Sequence, residues 1–112
     1  MRIIIILLAL VSSTFSYASV HCKGIVNHTW IQSNGLLLIS TTWSPNPIGL
    51  CNVSTKHHNI EPDTCKTWAS IALAALTSKK SINMQYYNVS SCSDIKSYSN
   101  SQQAHYFMMN GE

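Results

Sequence analysis

The stretch EPDTCKTWASIALAALTSKK, residues 61–80, decides the fold, because it is where the hydrophobic period of the chain changes. Cys65, Trp68, Ala69, Ala72 and Leu76 recur at three- and four-residue spacing, and Ile71 and Leu73 widen the stripe. Lys66, Thr67, Ser70 and Thr77 take the other side. The start carries helix-initiating chemistry. Pro62 suits a first turn, where its missing N–H costs nothing, and Glu61 and Asp63 suit the positive end of the dipole. Lys79 and Lys80 suit the negative end. The spacing predicts one helix over residues 63–78.

On both sides of that helix the period is two. Residues 22–31 are rich in β-branched and aromatic side chains and read as a first strand. Ser33-Asn34-Gly35 follows, a hairpin signal because Asn and Gly tolerate positive φ. Leu36 to Trp43 reads as a second strand whose run Leu36-Leu37-Leu38-Ile39 implies burial on both faces. Ser44-Pro45-Asn46-Pro47 ends it, since proline cannot donate to a ladder. Ile48 to Val53 is a third strand. Beyond the helix, Ser81 to Val89 alternates Ile82, Met84 and Tyr86 against Asn83, Gln85 and Tyr87, a fourth strand. Residues 93–103 read as loop and residues 105–109 as a short fifth strand. The expectation is a mainly β fold with one helix, in the order β-β-β-α-β-β, as an OB-type five-stranded barrel.

The N-terminus points to export. Met1-Arg2 precede nine apolar residues, Ile3 to Val11, too few to span a bilayer. Ser16 and Ala18 fit the small positions before a cleavage site, so residues 1–18 are expected to be a signal peptide and residues 19–112 a single domain, secreted or periplasmic. No later segment is apolar enough to suggest a membrane span. Without Arg2 the chain keeps six Lys against four acids, +2, which is too weak and dispersed for a nucleic-acid footprint. Cys22, Cys51, Cys65 and Cys92 are an even set in an exported chain and read as two disulfides, with three connectivities open. The element order favours Cys51–Cys65, which would pin the helix to the third strand, and Cys22–Cys92, which would tie the ends of the chain. A metal reading is poor, since no C-x-x-C occurs and His57-His58 read as a solvated loop pair.

Enzymatic chemistry has little to work with. Four carboxylates, two of them at the helix start, offer no convergent pair, and disulfides leave no thiol nucleophile. No G-x-S-x-G elbow occurs. No cofactor is implied. The aromatic residues are more informative. Trp43, Tyr87 and Tyr106 lie at strand ends among Asn and Ser, as a sugar site would require, whereas Trp30, Trp68 and Tyr86 serve equally as core. His28 and His105 read as half-buried strand residues beside aromatics. Sequons at Asn27, Asn52 and Asn88 match chance in a chain so rich in Asn and Ser.

Cys65-Lys66-x-Trp68, the Ala-rich helix ending in Leu76-Thr77-x-Lys79, Ile82-x-Met84-x-Tyr86-Tyr87 and Cys92-x-x-x-Ile95 resemble a group of small secreted bacterial proteins. Their layout is similar to the B subunits of pentameric A–B toxins, above all the subtilase cytotoxin B subunit. The resemblance implies an OB-type barrel, a homopentameric ring with the helix toward the pore, an A-type subunit as partner, and recognition of a glycan or cell-surface receptor. No toxin sugar pocket maps residue by residue. The competing expectation is a monomeric secreted or periplasmic protein that binds or inhibits another protein.

Overall fold

The computed structural model describes residues 19–111, so the expected signal peptide lies outside the described residues. Six strands and one α-helix follow one another as β1 (Val20–Gly24), β2 (Val26–Ile31), β3 (Leu36–Thr41), β4 (Ile48–Asn52), α1 (Pro62–Ser78), β5 (Ile82–Tyr86) and β6 (Tyr106–Met109). They form two antiparallel three-stranded sheets, ordered β1-β5-β6 and β2-β3-β4. The fold is mainly β with one helix and two disulfides. The expected OB-type five-stranded barrel is corrected to this extent: the described residues form six strands in two separate sheets, not one five-stranded barrel.

The extra strand comes from a break inside the expected first strand. At Gly24–Ile25 the chain leaves one sheet and enters the other. The Ile25 carbonyl accepts from the Thr42 N–H at the end of the β2–β3 ladder, whereas the Ile25 N–H leaves the ladder and donates to Thr42 Oγ1, both at 3.2 Å. A Cβ on Gly24 would collide with Thr42 Oγ1 and the Trp43 ring, and the bend therefore sits at a residue without one. Pattern reading saw one continuous β-rich run; the tertiary contact with Thr42 and Trp43 divides it.

The β2–β3 hairpin follows its turn chemistry. Gly35 has φ +96°, and Asn34 Oδ1 accepts from the Leu36 N–H at 3.1 Å. β3 is the central strand of its sheet, and Leu36, Leu37, Leu38 and Ile39 are all buried. β5 keeps the expected alternation, with Ile82, Met84 and Tyr86 inward. Burial pushes the Tyr86 hydroxyl well above the usual tyrosine range, so it stays neutral.

α1 starts with Pro62 at its first positions and ends where Lys79 turns left-handed at φ 61°, its N–H donating to Ala75 O. Its buried face is built of small residues, Cys65, Ala72 and Ala75, with Trp68, Ile71 and Leu76 half-buried around them. Small side chains let the helix sit close to β2, β4 and β6. Trp68 packs on Phe107 at 5.9 Å between ring centroids. Leu73, expected in the stripe, faces outward instead. The disulfides join Cys51 of β4 to Cys65 of α1 and Cys22 of β1 to Cys92. Among the described residues no helix is long and apolar enough to cross a membrane.

Candidate functional site

The site grows from the outward face of β1-β5-β6. Strand alternation sends Cys22, Met84 and Phe107 into the core, which obliges their neighbours to face solvent. Register sets His21 opposite Gln85 and Gln85 opposite Tyr106, so three such side chains stand abreast on one face. The His21 and Tyr106 rings are 6.5 Å apart, His105 and Tyr106 6.2 Å, and Tyr87 and His105 4.9 Å in an edge-on arrangement. Four rings therefore run across the end of this sheet, and Tyr87 is 44% exposed.

Past Tyr87 the row borders a cleft of about 440 Å³ lined by His58, Tyr87, Asn88, Gln102, Gln103 and His105. That volume lies within the range of small-ligand sites. The far wall is a tight turn, His57 to Ile60, closed by His57 N–H to Ile60 O and Ile60 N–H to His57 O. His58 holds φ 55° within it. The turn is fastened to the cleft floor twice: His58 Nε2 lies 2.9 Å from Ser101 O, and the Asn59 N–H donates to Gln103 Oε1 at 3.2 Å. A carbonyl only accepts, so Nε2 carries the proton and Nδ1 is the acceptor of the neutral His58 ring.

The remaining polar capacity is specific. Gln102 is committed at both ends, accepting from Lys96 N–H at 2.9 Å and donating to Asp94 O at 3.4 Å. Among the described residues Gln103 is committed through its oxygen alone, which leaves its amino group available to a ligand. No carboxylate among the described residues lines the cleft. Beside it, His57 is half-buried with Nε2 unpartnered among the described residues, its ring 4.3 Å from that of His58. Burial first, and the neighbouring His58 second, hold His57 below the ordinary histidine range.

Two of the three aromatic residues singled out in the sequence, Tyr87 and Tyr106, meet here. Trp43 does not. It packs at Gly24, which pairs with Ile82, whereas Val20 pairs with Tyr86 beside Tyr87. Four strand residues, about 13 Å, separate the two ends of that ladder. The Trp43 ring closes the bend instead, its Nε1 buried. His28 and His105 are exposed rather than half-buried, although His105 does stand beside aromatics. His57-His58 is a loop pair, yet only His58 is solvated as expected. Sequence reasoning missed Asn88 and His105, which it read as strand residues, His58, which it read as a solvated loop residue, and Gln102 and Gln103, which lie in a polar stretch without periodicity.

A second surface lies along β2 and α1. Trp30, Ile31 and Leu73 are 37%, 48% and 56% exposed, and with Thr29, Leu37 and Ala69 they line an uncharged groove of about 320 Å³. Among the described residues no three His, Cys, Asp or Glu side chains converge at metal-binding range. No protein-family model, curated protein or solved structure matches this chain significantly.

Proposed function

We propose that this is an exported, non-enzymatic binding protein that recognises glycans, or a glycan-bearing receptor of the cell surface, through the Tyr87–His105 cleft. The observation that carries the reading is the exposed Tyr87 ring standing over a cleft whose other walls are imidazole and carboxamide. A sugar ring presents C–H groups on one face and hydroxyls around its edge. An aromatic face suits the first, and Asn88, the Gln103 amino group and the histidine nitrogens suit the second, giving and accepting hydrogen bonds.

The OB-type plan and the toxin B-subunit resemblance belong to the same proposal. Three features suit the OB-type plan: β1 and β2 follow one another directly and serve the two sheets, the helix lies between β4 and β5, and a parallel bridge joins Ile48 of β4 to Tyr98. On this reading the mature protein, secreted or periplasmic, forms a homopentamer that accompanies an A-type subunit. A second reading, a monomeric protein that binds or inhibits another protein, is favoured by the apolar Trp30–Leu73 groove.

A glycan array probed with the oxidised mature protein tests the first reading. It should retain a restricted set of glycans, and Tyr87→Ala should weaken retention about tenfold, equivalent to about 1.4 kcal/mol, without changing the circular dichroism spectrum. Undiminished retention by Tyr87→Ala, or no retention by the wild type, overturns the cleft assignment. Light scattering separates the assemblies: about five times the monomer mass supports the ring, and a monomer at every concentration supports the protein binder.

A further inference from the structure

We propose that acid opens the cleft: charging His57 frees the His57–Ile60 turn from the Ser101–Gln103 segment, so that a ligand held at neutral pH is released. The inference rests on the cleft being the binding site, and its geometry is independent of which ligand binds.

The turn is joined to the opposite wall at two points. Two hydrogen bonds fasten it to residues 101–103, from His58 Nε2–H and from the Asn59 N–H. Ile60 is the buried apolar side chain that follows. His57 opens this turn with Nε2 enclosed and unpartnered among the described residues, so the closed turn accommodates the neutral ring and offers an imidazolium no acceptor there. A charge on His57 would also stand 4.3 Å from the His58 ring, centroid to centroid. Among the described residues the other titratable groups around the wall bring no compensating anion to it. Lys56 and Glu61, which bracket the turn, are paired with each other at 3.5 Å, and across the cleft stand His105 and Tyr87.

The sign follows from linkage. In the closed state His57 binds its proton less readily than an ordinary histidine. In the open state the hydrated ring titrates in the ordinary range. The open form therefore holds more protons, and each pH unit below that range, down to the value in the closed state, favours opening by about tenfold. Above the ordinary range the closed turn keeps its full advantage.

The test uses the oxidised protein without ligand. Imidazole NMR signals and amide exchange, corrected for intrinsic rates, are followed from about pH 7.5 to about pH 4.5. Protection of the Asn59 and Ile60 amides should fall about tenfold per pH unit as the His57 ring titrates, while Leu38 and Met84 amides hold. His57→Gln, which cannot take up the proton, should keep the turn protected across the range. Protection that survives the titration of His57 overturns the proposal, as does an unchanged acid opening in His57→Gln. The wild-type titration decides even if that variant folds poorly. Glycan retention at neutral pH is measured separately, so a failed binding assignment and a failed switch give different results.

Discussion

The two edges of the β2-β3-β4 sheet were treated differently by the fold. β4 has a ladder partner on one side only, yet all five of its residues are buried. Its free edge is covered by the segment that leads from Cys92 to the cleft. Tyr98 bridges Ile48 in parallel and its N–H donates to Pro47 O, while the Gly49 N–H donates to Ser101 Oγ at 2.9 Å. Ser101 Oγ in turn donates to Lys96 O, so one buried hydroxyl joins the strand to both arms of the covering loop. β2, at the opposite edge, pairs among the described residues with β3 alone and exposes Trp30 and Ile31. An uncovered edge invites another chain, and proteins usually blunt it with charge, proline or a covering element. Here β4 received the cover, and that cover also supplies Gln102 and Gln103 to the cleft. Edge protection and site construction are one piece of chain.

Cutting the anchor of that cover should have the largest effect. Cys22–Cys92 closes a loop of sequence separation 70, for which the chain-entropy relation gives about 4 kcal/mol. Replacing both residues by Ala should lower the unfolding free energy by roughly that amount in urea titrations. A loss below about 1 kcal/mol would mean that packing alone holds the loop on β4.

Next comes Gly49. A Cβ there would strike the Tyr98 carbonyl, a backbone atom that cannot swing aside. Gly49→Val should therefore cost about 2–3 kcal/mol by overpacking, and should deprotect the Tyr98 and Ser101 amides to hydrogen exchange. Full stability in this variant would show that the strap yields easily and that the two edges differ less than their burial suggests.

The smallest effect belongs to the uncovered edge. Ile31→Lys places a charge on an exposed strand position and should shift stability by no more than about 0.5 kcal/mol. If copies of the chain associate through β2, the same variant should reduce the mass measured by light scattering. A large loss of stability would instead place Ile31 in the core of the monomer.

Much of the molecule was legible in local chemistry. The helix spacing around Cys65, Trp68 and Ala72, the proline at its start, the Asn34-Gly35 turn and the alternation of Ile82, Met84 and Tyr86 all depend on residues within a few positions of one another. The candidate site was only half legible. Tyr87 and Tyr106 stood out as aromatics at strand ends, but nothing near Trp43 in the chain says that its ring lies against Gly24. Nor does a Ser/Asn/Gln-rich stretch announce that Gln102 and Gln103 will face His58, 44 and 45 positions away.

What the sequence determined by itself is therefore the kind and place of the main elements and the even set of cysteines, because period, turn chemistry and capping act over a few residues. The tertiary structure decided the rest: the division of the first strand at Gly24–Ile25, the pairing of β1 with β5, the choice of β4 as the covered edge, and the meeting of Tyr87, His105 and His58 around one cleft. Those outcomes depend on contacts between segments tens of residues apart. Local propensity cannot rank such contacts, because their free energy comes from which buried groups finally find partners and which surfaces finally pack.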